Sequence, residues 1–380
     1  MSNRKKVCIV ATVPMVLHFF MRKHIEKLSE VYDVTLLVPA TQEDVAEFLN
    51  ENVSFIPFVI ERKISVVSDL RSLLSIYRLF TSNKFDCVLS IMPKSGLIAM
   101  LGGFFARVPR RIHIFTGQVW STKIGFSRWF LKSLDVLLSF CATHLLADSF
   151  SQRDFLIESG VVKGQKIGVL GKGSISGVDL SRFRPDAQIR RDIRIQLGIP
   201  ETDFVFLFLG RVSLAKGVLD LVRAFTQVVQ VRPNTHLLVV GPDEDGIDTA
   251  MLEVLEACQK NYHRVGFTKR PQDYMAASDV FCMPSYREGF GLAVIEASAA
   301  GLPALASRIY GLTDAVEEGT TGIFHAPGDS SEIAAGMLEL SENSERRQAM
   351  SLAGIARVKS DFSEECVVSE MLDFFKKIHN

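Results

Sequence analysis

The segment Phe204–Leu209 reads FVFLFL, six apolar residues in a row with no polar face. A strand with one wet side alternates polar and apolar residues. An unbroken run is covered on both sides, as in a parallel sheet packed between helices. Similar runs recur along the chain. Lys6–Thr12, Asp33–Val38 and Val53–Val59 read as strands, and His18–Ser29 reads as a helix on which Phe19, Phe20, Ile25 and Leu28 share a face. Leu70–Phe80 is helical in period, Asp86–Ser90 is a short strand, Gly96–Ala106 is a buried helix, and Arg111–Phe115 and Leu145–Asp148 are strands. Beyond Phe204–Leu209 come helix Leu219–Val229, strands His236–Val240 and Asp279–Met283, and helix Leu292–Ala300. Strands alternating with helices imply doubly wound α/β units.

A length of 380 residues suits two such units. The charged stretch Leu180–Arg194 carries no strand signal and reads as the linker, which places the domains at 1–180 and 181–360. Two Rossmann-like units facing a cleft would meet ligands at the carboxyl ends of their strands. With 47% hydrophobic and 23% charged residues both units can bury a core, which excludes a disordered or fibrous chain. The six cysteines are scattered without a CxxC pair and read as reduced, buried thiols of a cytosolic protein. Met1–Lys6 is polar and basic and the apolar run after it is short, so no secretory leader is expected. The eleven-residue run Gly96–Ala106 falls short of the ~20 residues that span a bilayer. Charge is uneven: residues 1–180 hold 22 Lys and Arg against 15 Asp and Glu, and residues 181–380 hold 21 against 28. An acidic second half without a binding motif gives nucleic-acid binding no support.

Two constellations carry chemistry. Gly210-Arg211 and Lys216-Gly217 follow the FVFLFL strand, and two cations in a loop entering a helix suit a diphosphate. Ser285-Tyr286-Arg287-Glu288-Gly289-Phe290-Gly291-Leu292-Ala293 follows strand Asp279–Met283 and runs into a helix that carries Glu296. Gly289 and Gly291 allow tight turns, the first amides of the helix are free to meet a phosphate, and the two carboxylates can receive sugar and ribose hydroxyls. Asp243-Glu244-Asp245 follows a strand and precedes Gly246; it reads as an acidic turn, and no metal site or cofactor is expected.

In this order, with VVGPDEDG, VGFTKRPQDYMAASDVFCMPSYREGFGLAVIEASAAGLPALAS and GLTDAVEEGTTGIF, the motifs resemble the family 4 glycosyltransferases of the GT-B fold. The resemblance covers nearly the whole chain and is strongest from Phe204 to Phe324. It implies retaining, metal-independent transfer from a nucleotide sugar, a UDP-hexose or UDP-N-acetylhexosamine. Arg211 and Lys216 would hold the diphosphate, Glu288 the sugar and Glu296 the ribose. Amides at Phe290, Gly291, Leu292 and Ala293 would meet sugar and phosphate, and backbone near Val265, Gly266, Phe267 and Thr268 the base. The last segment, 361–380, would pack as a helix on the first domain.

The first half departs from that family. The loop after its first strand, from Ala11 to Phe20, has no glycine, and Thr116 stands where many members have a histidine. Thr116 can hydrogen-bond a sugar hydroxyl but is no general base near neutral pH. His113, inside the strand, reads as structural. Thr116-Gly117-Gln118-Val119-Trp120 and Gly173-Ser174-Ile175-Ser176-Gly177-Val178-Asp179 resemble a subgroup acting on undecaprenyl-diphosphate-linked sugars in bacterial surface-polysaccharide assembly, such as O-antigen or capsule. That makes Thr116, Gly117, Ser174 and Ser176 acceptor-side candidates. Trp120–Phe140 mixes Lys123, Arg128 and Lys132 with Phe126, Trp129, Phe130 and Leu131, a combination that suits an anionic membrane surface. The chain is therefore expected in the cytoplasm, peripheral on the inner membrane. A soluble acceptor, an epimerase of the same fold and a non-catalytic nucleotide-sugar-binding protein are the alternatives.

Overall fold

The computed structural model describes residues 4–60, 65–256 and 258–379. The start of the Met1–Lys6 segment and the end of the 361–380 helix lie outside the described residues. The chain divides into two units, one running to Gly177 and resuming at Glu364, the other Val178–Ser363. Val178 belongs to the second unit because its N–H donates to the Phe362 carbonyl (2.8 Å) and its side chain is buried in that unit's core.

In the first unit β1 (Lys6–Val10), β2 (Asp33–Val38), β3 (Val53–Pro57), β4 (Cys87–Ile91), β5 (Arg110–Phe115), β6 (His144–Ala147) and β7 (Ile167–Val169) form one sheet in the order β3-β2-β1-β4-β5-β6-β7. All six pairings are parallel. Both faces are covered, so alternate residues enter separate cores: Val7 and Ile9 on one face, Cys8 and Val10 on the other. Helix Glu364–His379 completes the first of these cores with Met371 and Phe375.

In the second unit β8 (Phe204–Leu209), β9 (Thr235–Val240), β10 (Tyr262–Val265), β11 (Val280–Met283), β12 (Ala304–Ser307) and β13 (Gly322–His325) form a parallel sheet in the order β10-β9-β8-β11-β12-β13. FVFLFL is the inner strand β8; Val205 and Leu207 face one core, Phe206 and Phe208 the other. Strand order reverses between β8 and β11 here, and between β1 and β4 in the first unit. In open α/β sheets such a switch point leaves a crevice at the strands' carboxyl ends.

The stretch expected to be a linker contains helix Ala187–Leu197. Asp186 caps its start, accepting from the amides of Gln188 and Ile189 (both 3.0 Å), and Gly198 ends it. The charges that made this segment look solvated are its anchors. Arg194 is only 1% exposed and donates to Asp279 Oδ2 (2.8 Å) and to the carbonyls of Ala277, Pro200, Glu201 and Asp203. Asp279 also receives Arg190 (2.8 Å) and the Val205 amide (2.8 Å), tying the entries of β8 and β11 to this helix.

Replacing Asp279 with Ala should strand a buried guanidinium and lower stability by about 3–5 kcal/mol, measured by urea unfolding. A change within experimental error would show that the arginine carbonyl contacts suffice alone.

Candidate functional site

Both constellations of the second unit lie at its switch point, one after β8 and the other after β11. They touch because of a glycine. Gly217 has φ +66°, and a Cβ there would lie 2.0 Å from the Pro284 carbonyl oxygen. The Tyr286 amide donates to the Ala215 carbonyl (3.0 Å) and draws the two loops together again. Lys216, closing the short turn Leu214–Lys216, thereby reaches across to Glu288, with Nζ 2.5 Å from Oε1. Ser285 Oγ donates to the same oxygen (2.8 Å) and fixes the carboxylate from behind. Both side chains of the pair are mostly buried, at 17% and 12% exposure.

Helix Leu292–Ala299 starts directly after this loop, at Gly291, whose φ of +97° a side chain would resist and whose Cβ would strike Leu312. Phe290 is buried and packs on Phe362 (ring centroids 5.2 Å), so it offers a ligand only its backbone. Burial pushes the Glu296 carboxyl up to about 7, with Arg182 pulling the other way. Arg182 donates to Gln272 (3.0 Å) and the Lys269 carbonyl (3.0 Å). Leu292 and Ala293, at the mouth of the helix, are half-buried.

Arg211 is exposed and donates to Glu244 (2.6 Å). An exposed pair of this kind contributes about 0–1 kcal/mol and exchanges readily for another anion. Asp243 accepts from the amides of Gly246, Ile247 and Asp248, and Asp245 from that of Leu214. Each carboxylate of the acidic turn thus has its own partner, and among the described residues no cluster of His, Cys, Asp and Glu has metal-ligand spacing. Past β10, the Val265 carbonyl is occupied by the Gly241 and Arg264 N–H groups, while Gly266 and Phe267 are exposed. Gly210, leaving β8, donates its amide to the Val240 carbonyl (3.0 Å).

In the first unit Thr116 and Gly117 follow β5. His113 is buried within that strand, its Nδ1 2.9 Å from Ser90 Oγ, and burial pushes it down to about 3; it is a neutral core residue. Ser174 and Ser176 lie in one loop, but their hydroxyl protons are committed: Ser174 Oγ donates to the Ser176 carbonyl (2.7 Å) and Ser176 Oγ to that of Phe19 (3.3 Å). The loop's Ile175 carbonyl is held by His24 Nε2 (2.8 Å). The amide of Ser174 donates to the Asp148 carbonyl (2.6 Å), so the residue linking this loop to the sheet edge beside Thr116 is one the motifs did not mark. Asp148 was missed: an aspartate at the end of a strand carries no spacing signal until the chain folds.

Helix Gly125–Cys141 turns Asp135, Leu138 and Cys141 inward and leaves Phe126, Trp129 and Phe140 at 76%, 63% and 70% exposure. Trp120, the first residue of the aromatic stretch, is instead a core residue, donating to Asp135 (2.7 Å) and stacking on Phe155. Among the described residues no helix is long and apolar enough to cross a membrane.

The chain is similar to known proteins along most of its length. Residues 189–357 match the family model described as Glycosyl transferases group 1, and residues 6–142 the one described as Glycosyl transferase 4-like. The capsular polysaccharide biosynthesis glycosyltransferase CapM of Staphylococcus aureus is 30% identical over 376 residues, covering 98% of this chain and 96% of its own. The UDP-Gal:alpha-D-GlcNAc-diphosphoundecaprenol alpha-1,3-galactosyltransferase of Escherichia coli is 28% identical over 299 residues, 74% of this chain and 73% of its own. Among solved structures, Anabaena HepE in complex with UDP has the same fold, with a TM-score of 0.82 at 17% identity over 98% of this chain and 100% of its own.

Gly217→Ala should force the β8 and β11 loops apart. Stability should fall by roughly 1–3 kcal/mol, read by thermal melts. An unchanged melting temperature would show that the two loops separate without strain.

Proposed function

We infer the reaction from one fact: this chain belongs to the group 1 glycosyltransferases. It is a retaining hexosyltransferase that moves a hexose or N-acetylhexosamine from a UDP-sugar to a lipid-diphosphate-linked saccharide, in the assembly of a bacterial surface polysaccharide such as capsule or O-antigen. The observation that carries this reading is the Lys216–Glu288 pair, which puts a cation and a carboxylate side by side at the switch point of the second unit.

Arg211 and Lys216 take the diphosphate, and both face carboxylates that a phosphate can replace. Glu288, released from Lys216, receives hydroxyls of the donor sugar, and Glu296 those of the ribose. Amides from Gly289 to Ala293 at the helix start meet the sugar and phosphate, and backbone at Gly210 and Val265–Phe267 lines the remainder. As the bond from the anomeric carbon to the β-phosphate oxygen breaks, its electron pair goes to the phosphate. Lys216 and Arg211 stabilise that charge where it develops. The acceptor oxygen bonds to the anomeric carbon on the face the phosphate leaves, and the departing phosphate takes the acceptor's proton. No histidine base is needed, which accommodates Thr116. No metal is needed either, since the cations supply the positive charge.

The donor class is supported by the relative whose name specifies UDP-Gal and by the UDP bound to HepE, and the acceptor class by that relative's diphosphoundecaprenol substrate. The exposed Phe126, Trp129 and Phe140 beside exposed Lys123 and Arg128 support peripheral binding to the cytoplasmic face of an anionic inner membrane.

Lys216→Ala and Glu288→Ala should each cut transfer at least about 100-fold while leaving the fold intact by circular dichroism. Wild-type turnover in either would refute the assignment, and abolition of wild-type transfer by EDTA would refute metal independence. On membranes, the protein should float with anionic liposomes at low salt and detach as salt rises. Phe126→Ser with Trp129→Ser should weaken flotation, and equal flotation of variant and wild type would exclude this helix as the contact.

A further inference from the structure

Asp148 stands at the carboxyl end of β6, at the sheet edge where ligands of open α/β folds bind. Phe115 of β5 pairs in register with Ala147 of β6, so Thr116 and Asp148 leave the sheet as neighbours. Asp148 is 6% exposed, and its Oδ1 is buried without a hydrogen-bond partner.

Its backbone, by contrast, is pinned on both sides. The Asp148 amide donates to Gln152 Oε1 (2.8 Å), and its carbonyl receives the Ser174 amide (2.6 Å). Ser174 holds a left-handed φ of +67° while making that bond. Gln152, fully buried, donates in turn to Gln118 Oε1 (3.4 Å), two residues past Thr116. One network therefore joins the loop at 116–118, the turn at 148–152 and the loop at 174–176, with Asp148 Oδ1 at its centre left without a partner. Burial pushes that carboxyl up to about 8, with no charged neighbour offsetting it. A buried carboxyl without a partner costs stability, and locking its backbone from two sides does not lower that cost. The arrangement makes physical sense if the missing partner is a hydroxyl brought by a ligand, because preorganised polar groups are held by a supporting shell of this kind.

We propose that Asp148 is the acceptor-binding carboxyl of the first unit, taking a hydrogen bond from a hydroxyl of the acceptor saccharide beside Thr116. This rests on the transferase reading above. It gives the first unit a polar anchor for the acceptor in an oxygen whose partner the fold does not supply, unlike the hydroxyls of Ser174 and Ser176, which already bond backbone carbonyls.

The test uses the full chain with UDP-hexose and a short-chain prenyl-diphosphate N-acetylhexosamine as acceptor. Asp148→Ala should raise the acceptor KM at least tenfold while UDP affinity by calorimetry stays within twofold of wild type. Asp148→Asn, which keeps the volume, should melt at the same temperature as wild type near pH 4 and above it at pH 8. The sign follows from the raised carboxyl: the cost of its charge is absent when it is protonated and full once it ionises. An unchanged acceptor KM in Asp148→Ala would overturn the proposal. So would a lower melting temperature of Asp148→Asn at pH 8, since that would mean the carboxylate serves the fold. If the wild-type chain transfers nothing and does not bind UDP, the transferase reading itself has failed, which the Asp148 variants would not show.

Discussion

Lys216 and Glu288 are 72 residues apart in sequence and meet through one short ion pair. Everything around them serves that meeting. Two parallel strands, β8 and β11, must lie side by side although β9, β10 and their helices intervene in the chain. The loop after each must then turn toward the other, and the turn must be close enough that only a glycine fits at 217. A partly buried lysine or carboxylate standing alone would lose hydration without compensation. Paired, each offsets the other's desolvation.

The two units share one strand order, to which the first adds β7, but invest their switch points differently. In the second, the candidate site is built of local sequence: a cation loop after one strand, a glycine loop and a helix start after the other. In the first, the corresponding edge draws on Thr116 after β5, Asp148 after β6, the loop at 174–176 and, through His24 and Phe19, the segment after β1. Each contributes one or two residues. Two of these loops carry a motif, but nothing in the sequence marks Asp148, which joins them.

That difference explains what the sequence made legible. Apolar runs such as FVFLFL announced the parallel sheets because burial on both faces leaves no other composition. Gly291, Glu288 and Lys216 stood out because a glycine at a helix start and charge after a strand are few in the sequence, and Gly291 does take a positive φ. Helix Ala187–Leu197 was not, since Arg190 and Arg194 look solvated until Asp279 is known to lie beside them. Trp120 looked like part of an exposed aromatic stretch because its partner Phe155 and its hydrogen bond to Asp135 depend on tertiary contacts. The serines at 174 and 176 looked free for the same reason.

If the loops after β8 and β11 form a diphosphate site, affinity should reside in the second phosphate. Calorimetric titration of the full chain with UDP and with UMP measures this directly. UDP should bind at least about ten times more tightly than UMP, a difference of about 1.4 kcal/mol or more. Equal affinity for the two nucleotides, or no binding of UDP, would contradict the account at its centre.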